Sequence, residues 1–145
     1  MSERQIKGER ERFAHYRIGD VLGEGGFGRV HMAWDERLAR EVAIKFSSPD
    51  RRRQEGLRFE AQRLASQRHR AFVNVFALEE CTDEIAMVME LVRGRTLAKV
   101  LDDGPLLQDE VVRLGIEATA ALVEAQRSGW AHGDLKPSNL MVSDN

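Results

Sequence analysis

The sequence predicts an α+β fold in which a strand-rich first part is followed by helices. Between Tyr16 and about Phe46, apolar and polar residues alternate with a period of two, which is typical of half-buried β-strands. Two later stretches, about 51–68 and 108–128, repeat their apolar residues every three or four positions, as amphipathic helices do. The order of strands, a helix, further strands and then helices fits an α+β arrangement.

The first part of the chain carries the strand pattern. A polar lead-in of mixed charge covers residues 1–12. The clearest alternation runs through Val30, Met32 and Trp34, and then through Val42, Ile44 and Phe46. The turn-forming cluster Ser47-Ser48-Pro49-Asp50 follows these strands, and we expect the first helix to begin after it.

The first predicted helix and the strands after it form the middle of the chain. Over about 51–68, the apolar stripe of the helix consists of Leu57, Ala61, Leu64 and Ala65. The short apolar runs at Val73–Leu78 and Ile85–Met89 then predict two further strands.

Two more helices are predicted after the strands. A short one lies near 96–102 and ends at Gly104-Pro105, because proline cannot continue a helix. A long one covers about 108–128 and ends at Gly129, a residue type that is common after helix C-termini. Its apolar stripe consists of Val112, Ile116, Thr119 and Val123, which we expect to face inward.

Composition and charge exclude several classes of protein. The 145 residues are 42% hydrophobic and 32% charged, as in ordinary globular domains. A net charge of −2 gives no electrostatic basis for binding nucleic acid or an anionic membrane. We expect no membrane segment and no secretory signal, because no apolar run is long enough for either. Cys81 is the only cysteine, which predicts a reducing, cytoplasmic location without disulfides.

A glycine-rich segment, Gly23-Glu24-Gly25-Gly26-Phe27-Gly28, fits the pattern GxGxxG. A dinucleotide-binding turn would lead from a strand into a helix, yet Arg29 to Trp34 alternates like a strand. A P-loop is excluded because no Gly-Lys-Ser/Thr follows. Two interpretations stay open: a plain hairpin, and a phosphate-binding flap whose glycines let backbone N–H groups approach phosphate oxygens.

A lysine and a glutamate occupy positions where a charge is costly. In the strand Val42–Phe46, the period of two places Ala43 and Lys45 on the same face. Glu60 lies on the apolar stripe of the first helix, where an unpaired carboxylate is unfavourable. Lys45 is the obvious partner for it. The alternatives are an exposed strand lysine and an ordinary boundary glutamate.

The most informative string is His132-Gly133-Asp134-Leu135-Lys136-Pro137-Ser138-Asn139. It places an Asp, a Lys and an Asn within six positions, residue types suited to steering a phosphoryl group onto a hydroxyl. It follows the glycine-rich segment and Val42-Ala43-Ile44-Lys45 in the order and at the spacings of the protein-kinase signature set. From Tyr16 to Asn145, the chain therefore resembles a eukaryotic-type (Hanks-type) Ser/Thr protein kinase.

This resemblance implies a domain organisation. A charged lead-in, 1–12, would precede a kinase small lobe, 13–90, made of an antiparallel sheet and one helix. A hinge at 91–95 would connect it to the first helices of the large lobe, 96–145, with the chain truncated after the catalytic loop. The segment Met87–Gly94 resembles that hinge, although a strand leading to a turn explains it equally well.

The resemblance also implies ATP and Mg²⁺ as cofactors. The residues expected to contact ATP are Leu22, Gly23, Gly25, Gly28, Val30, Ala43, Lys45, Met89, Glu90, Val92 and Met141. The glycines would lie at the phosphates with Phe27 at the tip of their flap, and the backbone of Glu90 and Val92 would bind the adenine. Lys45, paired with Glu60, would hold the α- and β-phosphates.

Catalytic roles follow from the same resemblance. Asp134 would accept or orient the proton of the substrate hydroxyl, and Lys136 would neutralise charge on the transferring phosphate. Asn139 would bind Mg²⁺ through its amide oxygen. Lysine at position 136 is typical of kinases that act on Ser and Thr, so the implied partner is a protein substrate carrying those residues.

Two departures from the family pattern matter. Gly133 stands where the family usually has an arginine that pairs with a phosphorylated activation loop. We therefore hypothesise that this phosphorylation is not required, and dependence of full-length activity on such a phosphosite would contradict us. No Asp-Phe-Gly follows Asn139 in these residues, so weakened Mg-ATP binding and inactivity of the chain alone are expected. The apolar face of the 108–128 helix would then be uncovered, with a risk of self-association.

Two other functions stay open. The string His-Gly-Asp also resembles small-molecule phosphotransferases that share the kinase fold. A short pseudokinase that acts as a binding or regulatory module is the second alternative. The glycine-rich segment, Val-Ala-Ile-Lys and Asp-Leu-Lys-Pro-Ser-Asn together favour the protein-kinase branch.

Overall fold

The computed structural model describes residues 11–25 and 28–144, and most of its strands form one six-stranded sheet. The strands of this sheet are β1 Arg12–Phe13, β2 Tyr16–Gly25, β3 Gly28–Asp35, β4 Arg40–Phe46, β5 Val75–Cys81 and β6 Glu84–Met89. Their order is β1-β2-β3-β4-β6-β5, and the pairs from β1 through β4 to β6 are antiparallel. The predicted strand-rich first part is confirmed.

The remaining elements of the described chain are helices and a second, two-stranded sheet. They are α1 Arg51–Ala65, β7 Gly94–Thr96, α2 Leu97–Asp102, α3 Gln108–Arg127, the 3-10 turn Pro137–Asn139 and β8 Met141–Ser143. Helix α1 begins after Asp50, whose carboxylate accepts a hydrogen bond from the Arg53 N–H at 3.1 Å and so caps the helix. Within the described ranges, no helix combines the length and apolar character needed to span a membrane.

Contacts divide the described chain into two units. The first comprises the described residues up to Arg58 together with Phe76–Leu91. The second comprises Phe59–Val75 and the described residues from Val92 onward. Apart from Val75, the six-stranded sheet belongs to the first unit, whereas α2, α3 and the β7–β8 pair belong to the second.

The core of the first unit lies on one face of its sheet. Ile44 of β4 and Val88 of β6 are directly opposite each other and are fully buried, because the alternation of both strands turns these side chains to the same side. The other buried members of this cluster are Phe13, Tyr16, Ala33, Val42 and Ala86. Fully burying an aliphatic or aromatic side chain of this size stabilises the fold by roughly 1.5–3 kcal/mol.

Tyr16 connects this core to the edge strand β5. Its ring is buried, and its hydroxyl donates a hydrogen bond to Oε1 of Glu79 at 3.3 Å. Burial of the phenol, reinforced by the negative charges of Glu79 and Asp35, raises the pKa of Tyr16 to about 12 from an ordinary value of 10.0. The neutral phenol is therefore the form that the folded chain favours.

We expect Tyr16 to ionise near pH 12 in the folded chain. Because the folded-state pKa is the higher one, the stability that the neutral phenol contributes is complete below pH 10 and is lost as the pH rises through about 12. Tyr16 is the only tyrosine in the 145 residues, so the ultraviolet absorbance of tyrosinate reports on it alone. The Glu79→Gln variant should titrate at a lower pH, and a wild-type midpoint at 10.0 would contradict this assignment.

The long helix α3 buries a different stripe from the predicted one. Val112, Ile116 and Val123 are 54%, 65% and 41% exposed, and Thr119 is also exposed, so the prediction that this stripe faces inward is wrong for the described chain. The buried positions are Ala121 and Ala125. Both stripes are apolar, and the periodicity does not distinguish between them because alanine is as compatible with burial as valine or isoleucine.

Helix α1 agrees with the sequence at its centre. Leu57 and Ala61 are each 3% exposed, as the predicted stripe requires. Leu64 is partly buried, but Ala65 is exposed because the helix ends there rather than at residue 68. Glu60 lies between the buried positions and is itself only partly exposed. Its intermediate burial fits a residue on the edge of the apolar stripe.

Candidate active site

The glycine-rich segment forms the connection between two antiparallel strands. Gly23 of β2 pairs with Val30 of β3, and Gly25 pairs with Gly28. The described residues on both sides of residues 26–27 thus belong to paired antiparallel strands, which excludes the strand-to-helix turn of a dinucleotide-binding fold. Phe27, predicted for the tip of the flap, lies outside the described residues.

Gly28 is the point where this hairpin touches the neighbouring strand. Its φ is +129°, a conformation that residues with a side chain rarely adopt. A Cβ at this position would overlap the carbonyl oxygen of Phe46 at the end of β4. Glycine at position 28 therefore allows the backbone at the start of β3 to lie against the end of β4.

Strand register brings four predicted ATP-contacting residues onto one face of the sheet. Val30 of β3 is opposite Lys45 of β4. Ala43, two residues earlier on β4, is opposite Met89 of β6. Because opposite residues and residues two apart share a face, Val30, Ala43, Lys45 and Met89 form one contiguous surface. It lies on the side of the sheet away from the core that contains Ile44.

This surface, which we call the sheet face, also includes a residue that the sequence analysis missed. Met87 of β6 is opposite Lys45 and is only 1% exposed. The period of two from Met89 could have identified it. Ala43 is 4% exposed. Lys45 is partly buried.

The other predicted nucleotide-site residues are distributed over both units. Leu22 on β2 is 44% exposed, and Met141 on β8 is 43% exposed. Glu90 belongs to the first unit and Val92 to the second, and both are partly buried. Lys45 belongs to the first unit, and Glu60 belongs to the second. The ion pair between Lys45 and Glu60 stays a prediction.

The string from His132 to Asn139 is held between short elements of the second unit. Strand β8 follows it directly and pairs with β7 in the register Gly94–Ser143 and Thr96–Met141. The Leu97 N–H at the start of α2 donates to the Leu140 carbonyl at 2.8 Å, and the Asn139 N–H donates to the Lys136 carbonyl at 2.9 Å. The 3-10 turn thus returns Asn139 toward the residues that precede it.

The three predicted catalytic and metal residues form one cluster. Lys136 Nζ lies 3.3 Å from Oδ2 of Asp134. The side-chain amide of Asn139 donates to the same Oδ2 at 3.1 Å and to the Asp134 backbone carbonyl at 2.8 Å. All three side chains are exposed, so they are accessible to a substrate. The structure therefore brings Asp134, Lys136 and Asn139 together, and their catalytic and metal-binding roles stay predictions.

The electrostatics of this cluster favour an ionised aspartate. The hydrogen bond from Lys136, helped by the amide of Asn139 and by the nearby positive charges, lowers the pKa of Asp134 below its ordinary value of 3.8. Because the pKa is lowered, the interactions that the carboxylate makes are complete above pH 3.8 and are lost only in stronger acid. At neutral pH, Asp134 is a hydrogen-bond acceptor only.

The chemistry of Asn139 fits a cation ligand. Its amide nitrogen is occupied by Asp134, which orients the amide and leaves its oxygen as the atom that can bind a metal ion. Amide and carboxylate oxygens are the ligand types that Mg²⁺ accepts. Among the described residues, no group of three or more His, Cys, Asp or Glu side chains is arranged to hold a metal.

Comparison with known proteins identifies the family. The family model of the protein kinase domain matches residues 16–145. The Ser/Thr-protein kinase PknB of Mycobacterium leprae is 37% identical over 137 residues, which cover 88% of this chain and 22% of that kinase. The probable Ser/Thr-protein kinase SCO3848 of Streptomyces coelicolor is 39% identical over 139 residues, which cover 90% of this chain and 21% of that kinase.

A solved structure supports the same conclusion. The apo form of PpkA-294 superposes with a TM-score of 0.82 at 26% identity, over 92% of this chain and 56% of that one. The chain spans between a fifth and a quarter of the length of the curated relatives named above. The antiparallel sheet and the family match agree. The chain belongs to the protein kinase domain family and is similar to bacterial Ser/Thr protein kinases.

Proposed function

We propose that this chain is part of an ATP-dependent Ser/Thr protein kinase, which transfers the γ-phosphoryl group of Mg-ATP to hydroxyls of a protein substrate. The observation that carries the proposal is the cluster in which Lys136 Nζ and the Asn139 amide nitrogen lie 3.3 Å and 3.1 Å from Oδ2 of Asp134. A carboxylate, an ammonium and an amide oxygen are the groups needed to orient a hydroxyl, neutralise a phosphate and bind a cation.

Each member of the cluster has a distinct role in this proposal. Asp134 is ionised and exposed, so it can accept a hydrogen bond from the substrate hydroxyl and aim its oxygen at phosphorus. Lys136 lies at hydrogen-bond distance from Asp134 and can reach the transferring phosphate with its ammonium group. Asn139 would hold Mg²⁺ through its amide oxygen, and the ion would neutralise charge on the phosphates.

The sheet face provides the nucleotide side of the proposed site. Val30, Ala43 and Met89 offer apolar surface to an adenine ring, with the backbone of Glu90 and Val92 as its hydrogen-bonding partners. Lys45 offers its charge to the α- and β-phosphates, with Glu60 as its proposed partner. Leu22 and Met141 contribute apolar cover, and Gly23, Gly25 and Gly28 provide the phosphate-facing backbone.

Replacing Lys45 with Met should weaken ATP binding. A charge-assisted contact to phosphate contributes about 1.5–3 kcal/mol, so we expect the Kd for ATP to rise roughly 10- to 100-fold, measured by isothermal titration calorimetry on the full-length protein. Methionine preserves the length and most of the volume of the side chain. The matched control is Lys99→Met on α2, an exposed lysine, which should leave the Kd unchanged. Equal affinities in the wild type and the Lys45 variant would contradict the role of Lys45.

The domain organisation completes the proposal. Residues 13–90 are assigned to the small lobe, 91–95 to the hinge and 96–145 to the start of the large lobe, after a lead-in over 1–12. The contact-based division changes from the first unit to the second between Leu91 and Val92, which supports a boundary at the hinge. For the whole protein, we propose that the partners are protein substrates that carry Ser or Thr.

The exposed apolar stripe of α3 leads to a separate expectation for the 145-residue chain on its own. We infer that Val112, Ile116 and Val123 make the isolated chain self-associate, because contiguous apolar surface of this kind favours burial. Replacing Ile116 with Glu should shift the sedimentation profile toward monomer. The matched control, Gln62→Glu, adds the same charge at an exposed position of α1 and should not. A monomeric wild-type chain at high concentration would contradict the inference.

A further inference from the structure

Strand β8, which follows the catalytic string directly, is held by backbone contacts at both of its ends. The Asp144 N–H donates to the Arg93 carbonyl at 3.1 Å, and the Leu97 N–H donates to the Leu140 carbonyl at 2.8 Å. Between these two bonds, β8 pairs antiparallel with β7. Both strands belong to the second unit, together with the catalytic string. The backbone that leaves the string is therefore fixed along its whole pairing with β7.

Gly94 permits a close approach of β7 to β8. Its φ is +152°, and a Cβ at this position would lie 2.1 Å from the carbonyl oxygen of Val142 and 2.8 Å from Cα of Ser143. Contacts shorter than 3.0 Å are essentially never seen for a Cβ. Both neighbouring atoms belong to the backbone of β8, so a change of rotamer cannot relieve the overlap. A side chain at position 94 must therefore push the two strands apart.

The position of β8 determines the position of Asn139. Asn139 directly precedes Leu140, the residue whose carbonyl is held at the start of α2. The side-chain amide of Asn139 donates to the Asp134 backbone carbonyl at 2.8 Å and to Oδ2 of Asp134 at 3.1 Å. A displacement of β8 therefore moves a side chain that contacts both the backbone and the carboxylate of Asp134.

We propose that Gly94 is a positioning residue, which lets β7 hold β8 where Asn139 is set against Asp134. The proposal rests on the proposed kinase function, because it assigns the role of Gly94 through these two residues. Gly94 acts through the backbone of β8, so its substitution leaves the charges of the catalytic cluster unchanged. A displacement of reacting groups by about 1 Å can lower a rate by about 100-fold, so the effect is expected mainly in kcat.

Gly104, which follows α2, provides a matched control for Gly94 in the same unit. Its φ is +131°, and no atom lies within 4 Å of the place where its Cβ would be. Alanine at either position therefore strains the backbone, but only alanine at 94 overlaps another strand. In the full-length protein, we expect kcat to fall about 10- to 100-fold in Gly94→Ala and about twofold or less in Gly104→Ala.

The affinity for ATP separates this role from general disruption of the fold. Measured without Mg²⁺, the Kd for ATP should change by about threefold or less in both glycine variants, because neither substitution removes a group proposed to bind the nucleotide. Equal kcat values in Gly94→Ala and Gly104→Ala would overturn the proposal. A loss of ATP affinity as large as the loss of kcat in Gly94→Ala would also overturn it.

A second pair of variants tests the contact between α2 and Leu140 without altering Gly94. Leu97 is the first residue of α2, where proline is compatible with the helix, and the extended backbone of Thr96 (φ −62°, ψ 147°) accepts a following proline. Leu97→Pro removes the N–H that holds the Leu140 carbonyl, whereas Leu97→Ala keeps it. We expect kcat about threefold to tenfold lower in the Pro variant than in the Ala variant. Equal kcat values would contradict positioning through β8.

Hydrogen exchange of the Asn139 side-chain amide provides a measurement that needs no catalysis. In full-length protein labelled with ¹⁵N-asparagine, the Asn139 signal is identified by its absence from an Asn139→Asp variant. We expect exchange about tenfold faster in Gly94→Ala than in the wild type and in Gly104→Ala, because the bonds to Asp134 open more often. Equal exchange in all three proteins would overturn the proposal. If instead the proposed kinase function fails, Asp134→Asn will not reduce phosphoryl transfer, while the exchange result will still decide the role of Gly94.

Discussion

Replacing Asp134 with Asn lowers kcat for phosphoryl transfer to a protein substrate by about 10²- to 10⁴-fold, the range expected when a positioned acid or base is lost. Asn is nearly isosteric, but it carries no charge and cannot accept the substrate proton. The lowered pKa of Asp134 shows that its surroundings favour the charged form that the substitution removes. The measurement is steady-state transfer of labelled phosphate by the full-length protein.

The same variant should bind ATP with unchanged affinity, because the role proposed for Asp134 is a contact with the substrate hydroxyl and not with the nucleotide. Asp144→Asn is a suitable control, since Asp144 is exposed and its backbone N–H, rather than its carboxylate, bonds to the Arg93 carbonyl at 3.1 Å. The control should retain wild-type kcat. Full activity in the Asp134 variant would show that Asp134 takes no part in the reaction. It would also contradict the role proposed for the cluster.

Replacing Gly28 with Ala should destabilise the chain by at least about 2 kcal/mol, the largest effect that we expect from a single methyl group. The strain of a positive φ in a residue with a Cβ costs about 1–3 kcal/mol. The overlap of the new Cβ with the Phe46 carbonyl oxygen adds to this cost, because one of the two strands must move. Urea denaturation of the wild type and the variant measures the difference.

Gly23 provides the matched control on the other strand of the same hairpin. No atom lies within 4 Å of the position where its Cβ would be, so Gly23→Ala should change the free energy of unfolding by no more than about 0.5 kcal/mol. Similar losses in both variants would show that glycine content, rather than the contact at Phe46, determines the effect. The affinity for ATP should also fall in the Gly28 variant, because Gly28 is one of the glycines whose backbone is proposed to face the phosphates.

The sequence predicted the sheet, and which residues of β4 share a face, because period-two alternation is a strong constraint. Once β4 is a central strand with Ile44 on the core side, Ala43 and Lys45 must lie on the other side. The register that places Val30 beside Lys45, and Met89 beside Ala43, is set by hairpin and sheet pairing over many residues. Alternation within one strand carries no information about that register, so only the family resemblance connected these residues in advance.

Helix α3 shows the opposite case. A 20-residue helix such as α3 has enough apolar residues for two stripes, and the larger side chains of Val112 and Ile116 suggested the wrong one. The burial of Ala121 and Ala125 depends on how closely another part of the chain approaches the helix, which periodicity does not describe.

The cluster at Asp134 was predictable in its members but not in its hydrogen bonds. The spacing of Asp134, Lys136 and Asn139 named the residues, whereas the bond from the Asn139 amide to Asp134 depends on the 3-10 turn between them. The hydrogen bond from the Asp134 N–H to His132 was not predicted either, because it requires the left-handed backbone at Gly133. Glycine after histidine is a weak indication of such a turn.

The measurement that tests the central claim most directly is incubation of the full-length protein with labelled Mg-ATP and a generic protein substrate, followed by identification of the modified residues. We predict phosphoserine or phosphothreonine on the protein substrate, with the signal lost in the Asp134→Asn variant. Small hydroxyl compounds that are offered as acceptors in parallel reactions should remain unlabelled. Label on a small molecule alone would indicate a small-molecule phosphotransferase, and ATP binding without transfer to any acceptor would indicate a regulatory module; either result would contradict the proposed function.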